Sequence, residues 1–146
     1  MIGRPSRVTY VQSANNIIVT DDQARRLVLF SADDLSQRGF ISPPTTSTPG
    51  GSARLLQYPS GHCMTADGRL AVIDFETKSV VVWNTKSSDK RRSGAESDAE
   101  PTVCQTGLPC PGNVAVTSRG QLAVTDSKAR PKLFIHDFLS HHYATL

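Results

Sequence analysis

The chain has 146 residues, a formal net charge of +3 and 6% aromatic residues. This length fits one domain with its own core, and the small positive charge excludes a strongly basic protein dedicated to nucleic acid. The longest apolar runs, such as 80–83, are too short to cross a membrane, and the N-terminus lacks the apolar region of a secretory signal. We therefore expect a cytoplasmic protein with no membrane partner.

An internal repeat is the strongest signal in the sequence. Three aspartates, Asp21, Asp74 and Asp126, stand 53 and 52 residues apart, and similar residues occupy the same offsets around each. The shared positions are a turn former six residues before the aspartate, apolar residues ten, four and two before it, and apolar residues seven to nine after it. In chain order these are Val11, Asn15, Ile17, Val19, Val28, Leu29 and Phe30, then Met64, Gly68, Leu70, Val72, Val81, Val82 and Trp83, then Val116, Gly120, Leu122, Val124, Leu133, Phe134 and Ile135.

The three repeats are predicted at about 5–40, 56–90 and 107–140. In the second, "LAVID" and "SVVVW" are short, rich in β-branched and aromatic residues and bounded by turn residues, which is typical of strands. "TADG" and "TSRG" are turn sequences, and "HCMT" and "NVAVT" ahead of them predict preceding strands. Each unit is thus a meander of at least three antiparallel strands, with a fourth expected after Phe30 or Trp83.

The segments between the units have a different composition. Residues 42–52 are rich in Pro, Thr, Ser and Gly, and residues 84–102 are polar and charged with almost no apolar side chains. Neither can pack a core, so we predict mobile loops. The "KRR" run at 90–92 fits a solvated loop better than a nuclear-import signal.

A single meander cannot bury both of its faces, whereas stacked meanders can, and their radial arrangement is the β-propeller. Consecutive apolar residues, as in "VVVW", suit strands that are covered on both faces. The predicted fold is therefore all-β, a partial β-propeller of about three four-stranded antiparallel blades. We expect Trp83 and Phe30, at equivalent offsets, to lie between blades.

The order of elements in these units resembles the NHL repeat. A Pro-Gly sequence is followed by an apolar strand, then by "DGRLAVID" or "RGQLAVTD", a hairpin and a further apolar strand. The resemblance implies a propeller that has six blades when complete, as at the C-terminus of tripartite-motif RING ubiquitin ligases. The basic residue that the repeat carries at Arg26 is replaced by Ser79 and Pro131 in the other units. Three units leave such a ring open, so we expect part of a longer product or self-association.

The resemblance implies a non-catalytic scaffold for protein interaction, namely the substrate-recognition part of such a ligase, whose RING is absent here. The alternative is binding of single-stranded RNA, and a lyase-type propeller enzyme is a remote third. No G-x-S-x-G is present, and His62, His136, His141 and His142 lack metal-site spacing. We therefore expect no enzymatic activity, cofactor or metal in this chain.

Two sets of residues are candidates for a role. Asp21, Asp74 and Asp126 are expected to cap hairpins by accepting backbone N–H bonds. Equivalent loops of a propeller lie on one face, so the bases that follow the anchors predict a positive patch for a protein partner or RNA. These bases are Arg25, Arg26, Lys78, Lys128, Arg130 and Lys132. The competing interpretation is that they keep exposed hairpin tips soluble.

Three cysteines, Cys63, Cys104 and Cys110, occur without a C-x-x-C motif. An odd number in a chain with no secretory signal favours reduced thiols. A Cys104–Cys110 disulfide is the alternative.

Overall fold

A computed structural model describes residues 2–41, 45–48, 51–84, 101–128, 133–137 and 142–145. In this part of the chain, three four-stranded antiparallel sheets and one two-stranded hairpin follow one another. The sheets are the predicted blades, and the all-β fold class is confirmed. No helix in the described ranges is long and apolar enough to span a membrane.

The strands of each blade pair in the order of the sequence, as a meander requires. The first blade contains β1 (Pro5–Val11), β2 (Asn16–Asp21), β3 (Arg26–Ser31) and β4 (Gln37–Ile41). The hairpin contains β5 (Thr45–Thr48) and β6 (Gly51–Arg54). The second blade contains β7 (Pro59–Met64), β8 (Leu70–Asp74), β9 (Ser79–Trp83) and β10 (Thr102–Gln105). The third blade contains β11 (Pro111–Val116), β12 (Leu122–Asp126), β13 (Leu133–Asp137) and β14 (His142–Thr145).

A proline begins the first strand of every blade and pairs with the anchor aspartate on the second strand. The pairs are Pro5 with Asp21, Pro59 with Asp74 and Pro111 with Asp126. Proline has no N–H to give to a ladder and is tolerated at the first residue of a strand. A register shift follows each proline, so the three blades share the same local irregularity.

Two apolar clusters join the blades. The cluster between the first and second blades consists of Val11, Ile18, Leu27, Leu56, Leu70, Val72, Val81 and Trp83. The cluster between the second and third blades consists of Ala71, Ile73, Val80, Val82, Leu108, Val114, Leu122 and Val124. Alternate residues of β8 and β9 thus face opposite neighbouring blades. This explains why each of the two strands has only one polar residue, Asp74 in β8 and Ser79 in β9.

The prediction for Trp83 is confirmed, because it lies in the cluster between the first two blades and is 7% exposed. The same prediction for Phe30 is wrong. Phe30 pairs with Ile17, is half-buried and lies on the outer face of the first blade, which no other sheet of the described residues covers.

Three details differ from the sequence-based alignment. Residues 42–52 were expected as a loop, but Thr45–Thr48 pairs with Gly51–Arg54, because β-branched threonines favour extended structure. Of residues 84–102, only the ends are described, and Thr102 already belongs to β10. In the third blade Leu122 pairs with His136, whereas its equivalent Leu70 pairs with Trp83, so the third hairpin is one residue longer.

The first strand of the first blade is also shifted by one residue. Tyr10 pairs with Ile17, as Met64 pairs with Leu70 and Val116 with Leu122. Tyr10, not Val11, is therefore the equivalent of Met64. The extra residue is absorbed by the short 3-10 turn at Gln12–Ala14 and by Asn15, whose φ of 48° is left-handed.

His62 links the first two blades. Its Nδ1 lies 2.8 Å from the hydroxyl of Thr9, which donates in turn to the His62 carbonyl at 3.0 Å. Its Nε2 is buried with no hydrogen-bond partner among the described residues. Burial, with a further contribution from Arg7, lowers the pKa of His62 to about 4.

We expect this histidine to make the fold acid-sensitive. Below its ordinary pKa of 6.5, His62 becomes protonated in the unfolded chain but stays neutral in the folded chain. The free energy of unfolding therefore decreases as the pH is lowered. The loss extends down to about pH 4 and reaches about 3 kcal/mol. Urea denaturation between these two pH values measures it. The His62→Gln variant should lose less stability over this window, and parallel curves for the two proteins would contradict the assignment.

Candidate functional site

In the first two blades, the anchor aspartate holds the hairpin between the second and third strands to the segment that enters the blade. Asp74 is fully buried. Its Oδ2 accepts hydrogen bonds from the backbone N–H groups of Gln57 and Tyr58, the latter at 2.8 Å. Its Oδ1 accepts one from the N–H of Thr77 at 2.8 Å. One carboxylate thus fixes two loops at the same edge of the second blade.

Asp21 does the same in the first blade. It accepts hydrogen bonds at 3.2 Å from the backbone N–H groups of Gly3, Arg4 and Ala24. Burial acts to raise the pKa of Asp21, but these donors and the Arg26 guanidinium outweigh it and hold the pKa below its usual value. Asp21 is therefore ionised at neutral pH. In the third blade, Asp126 accepts from the N–H of Lys128 at 2.8 Å.

The hairpins at this edge present basic side chains in matching positions. Arg25 and Lys78 both come four residues after the anchor, and both have left-handed backbones, with φ of 52° and 55°. Both are exposed, as is Lys128. We call this edge the basic rim, defined by Arg25, Lys78 and Lys128. Of the other predicted bases, Arg130 and Lys132 lie outside the described residues.

Arg26 differs from these three. Its guanidinium lies 3.5 Å from the Asp21 carboxylate and 4.1 Å from the centre of the Phe40 ring. It is half-buried. Arg26 therefore braces the first hairpin, and changing it would disturb the anchor as well as the surface charge.

A cleft of about 460 Å³ opens at the basic rim between the first two blades. Its lining comprises Ala24, Arg25, Arg26, Leu27, Ile41, Leu56, Gln57 and Pro59. The volume lies within the range of small-ligand pockets. An apolar floor with guanidinium groups at its border suits a ligand that carries both a carboxylate and an apolar group.

Aromatic side chains adjoin the cleft. The Arg25 guanidinium lies 5.0 Å from the centre of the Tyr58 ring. The Tyr58 and Phe75 rings are 5.8 Å apart and tilted by 57°. The sequence indicated only Phe75 at the hairpin tips, because Tyr58 stands before the first strand of its blade, two strands ahead of the hairpin, and is held at this edge by its hydrogen bond to Asp74.

Acidic side chains near the basic rim partly neutralise its positive charge. Asp22 accepts a hydrogen bond from the Ser6 hydroxyl at 2.6 Å and lies 3.9 Å from the Arg4 guanidinium. Glu76 is exposed in the second hairpin, and the anchor carboxylates lie beneath the surface. The positive potential is therefore confined to the outermost side chains and will be sensitive to salt.

The opposite edge carries a second cleft of about 330 Å³, lined by Thr65, Ala66, Asp67, Arg69, Ser118, Arg119 and Gly120. Arg69 and Asp67 form a salt bridge there, with 2.8 Å between Nε and Oδ2. Gly68 and Gly120 have φ of 82° and 78°, which explains the glycine in both "TADG" and "TSRG".

Neither cleft adds an obvious reactive group. No group of three or more His, Cys, Asp or Glu side chains that could hold a metal ion occurs within the described ranges. The three cysteines are free thiols, so the alternative of a Cys104–Cys110 disulfide is wrong. Burial raises the pKa of the Cys63 thiol to about 11 and also raises that of Cys104, which makes both poor nucleophiles.

Sequence comparison gives no match to a family model or to a curated protein. Structure comparison gives β-propeller proteins. Virginiamycin B lyase from Staphylococcus aureus is 15% identical with a TM-score of 0.61, over 97% of this chain and 40% of the lyase. A luciferin-regenerating enzyme is 16% identical with a TM-score of 0.56, over 88% of this chain and 39% of that one. A chain of the nidogen–laminin complex is 17% identical with a TM-score of 0.55, over 99% of this chain and 64% of that one.

These findings correct one expectation and limit another. The prediction that the chain is not an enzyme is wrong, because solved structures that share its fold include a lyase and a luciferin-regenerating enzyme. The resemblance to NHL repeats is supported only as a resemblance to propellers in general. The chain spans about two fifths of the lyase, 40%, and what the comparisons establish is its fold, a set of β-propeller blades.

Proposed function

We propose that this chain is a protein-binding module whose cleft at the basic rim holds an acidic segment of a partner protein. The observation that carries the proposal is the position of the Arg25 guanidinium beside a cleft with an apolar floor. Such a cleft favours a peptide with a carboxylate and a neighbouring apolar side chain. That one of the similar structures belongs to a protein–protein complex agrees with this use of the fold.

The recognition would divide between two parts of the cleft. A partner carboxylate would pair with Arg25, whose planar guanidinium suits bidentate hydrogen bonding. A partner leucine or similar residue would contact Leu56 and Ile41, which line the cleft. Lys78 and Lys128 would contribute attraction at longer range, so that binding is moderate in strength and weakens as salt is added.

The resemblance to the NHL repeat extends this proposal. In a longer parent protein with a RING module, the basic rim would serve as the substrate-recognition surface of a ubiquitin ligase of the tripartite-motif type. The bound segment would then be part of the ligase substrate.

Binding of single-stranded RNA is the second candidate, and the Tyr58–Phe75 pair is the observation that favours it. Aromatic rings next to a guanidinium can stack on bases regardless of their sequence. The pair is small, and Tyr58 is half-buried, already engaged by Arg25. We therefore place the acidic protein segment first.

Reversal of charge at the cleft tests the binding function. The Arg25→Glu variant should bind a fluorescein-labelled peptide of glutamate and leucine about tenfold more weakly than the parent, since a carboxylate would then face the peptide's own. Fluorescence anisotropy at several salt concentrations measures the affinity. Adding Lys78→Glu and Lys128→Glu should weaken binding further and flatten its dependence on salt.

Arg119→Glu is the matched control, because it makes the same change in net charge at the opposite edge, where Arg119 is exposed. We expect it to leave peptide affinity unchanged within about twofold. If the parent and Arg25→Glu bound the peptide with equal affinity, the cleft would not be the peptide-binding site. Tight binding of oligouridine that is lost in Tyr58→Ala, with no binding of the peptide, would establish the RNA function instead.

A further inference from the structure

The outer face of the first blade is an apolar surface on which no other sheet of the described residues packs. In the second blade the corresponding face packs on the first blade and buries His62, Leu70, Val72, Val81 and Trp83. Strand pairing makes Val8, Ile17, Val19, Val28 and Phe30 their equivalents in the first blade. A neighbouring blade thus covers this position in the second blade, whereas no other described blade covers it in the first, where Val28 alone of the set is fully buried.

The uncovered face is continuous across four strands. Val8 pairs with Val19, Val19 with Val28 and Val28 with Phe40, so one apolar row crosses the sheet. Val8 is 70% exposed, Tyr10 55% and Phe40 52%. Large apolar side chains that line up on one face, unlike single scattered ones, mark an interaction surface.

The third blade has the complementary free face. Ala115 pairs with Ala123, and Thr125 lies two residues further along the same strand, which places all three on the side away from the second blade. The small alanines leave space for bulky side chains such as Tyr10 and Phe30. This pairing of large with small residues suits two interdigitating layers.

The donor of a polar contact between blades has an equivalent on this free face. The Thr20 hydroxyl of the first blade donates to the carbonyl of Ser60 in the second blade at 3.0 Å. Thr125 has the position of Thr20 next to its anchor and is exposed. Ser6 has the position of Ser60, one residue after the leading proline. Thr125 is therefore placed to donate to the Ser6 carbonyl of a first blade docked on the third.

We infer that the occupant is a second copy of this chain, with the outer face of the first blade of each copy packed on the free face of the third blade of the other. The contact joins different surfaces, and such contacts form a closed ring when the rotation between copies allows it. In this arrangement of two copies, the outer face of each first blade meets the free face of a third blade, as the first blade meets the second within one chain.

Sedimentation velocity over a range of concentrations tests the inference on the full chain. We expect the parent to be a dimer and the Val8→Glu variant to associate at least about tenfold more weakly, because the new carboxylate would be buried against apolar side chains. Val103→Glu is the matched control. Val103 lies on β10, away from both faces, and is 42% exposed, so this variant should remain dimeric.

Mixing variants distinguishes the geometry. Thr125→Arg should also impair the dimer, and an equimolar mixture of Val8→Glu and Thr125→Arg should partly restore it, since one intact pair of faces remains between the two chains. A parent that is monomeric at every concentration while fully folded overturns the inference. So does a dimer that Val8→Glu leaves unchanged, or a mixture that associates no better than its components.

Discussion

Replacing Trp83 by alanine is expected to lower the free energy of unfolding by about 3–5 kcal/mol, the largest effect of any single truncation in the core. The indole lies in the cluster that joins the first two blades, beside Leu70 with which it pairs. Its removal leaves a cavity between two sheets whose backbones are fixed by their own ladders, so the structure cannot readily collapse around it. Urea denaturation followed by far-ultraviolet circular dichroism measures the change.

Phe75→Ala is the control for loss of an aromatic ring. Phe75 is 40% exposed at a hairpin tip, where its ring contacts Tyr58. We expect this substitution to cost about 1 kcal/mol or less. If Trp83→Ala were no more destabilising than Phe75→Ala, the packing of the first blade on the second would be wrong.

The second large effect is expected at Asp74. The Asp74→Ala variant removes the acceptor for three backbone N–H groups, those of Gln57, Tyr58 and Thr77. Because the carboxylate is fully buried, the donors would be left without partners or would admit water into the edge of the blade. We expect a loss of about 3 kcal/mol or more in the free energy of unfolding, together with faster amide hydrogen exchange at Gln57 and Tyr58.

Asp67→Ala serves as its comparison. Asp67 also follows a strand and accepts hydrogen bonds, but its side chain is largely exposed and pairs with Arg69 at the surface. Exposed ion pairs contribute about 0–1 kcal/mol to stability, so the free energy of unfolding of this variant should be close to that of the parent. Similar losses for the two substitutions would show that Asp74 is not the anchor of its blade.

The sequence predicted the blades because their apolar pattern is local. "LAVID" and "SVVVW" lie within one meander, and their paired burial follows from strand alternation alone. The repeat around the aspartates located the hairpins to within one residue. It failed by one residue where the loops differ in length, at Tyr10 in the first blade and at β13 in the third, because an offset counted along the chain cannot register an extra residue in a turn.

The cleft could not be predicted in the same way. Tyr58 and Arg25 are separated by β3, β4 and the β5–β6 hairpin, and they meet because Asp74 holds the chain before β7 against the rim. Polar side chains that act at such distances leave no periodic pattern. The sequence also treated Arg26 as equal to Arg25, since only the three-dimensional arrangement shows that Arg26 braces Asp21.

The strictly sequential order of strands within each blade has a consequence for how the chain is made. Every ladder closes between strands that are neighbours in the sequence, so a blade can form as soon as its own residues leave the ribosome, before the next blade exists. The apolar row of Ile18 and Leu27 then waits uncovered until Leu70 and Trp83 arrive. During synthesis the most recently formed blade therefore exposes an apolar sheet face. We expect a nascent chain to need a chaperone most in the interval before the next blade is synthesised.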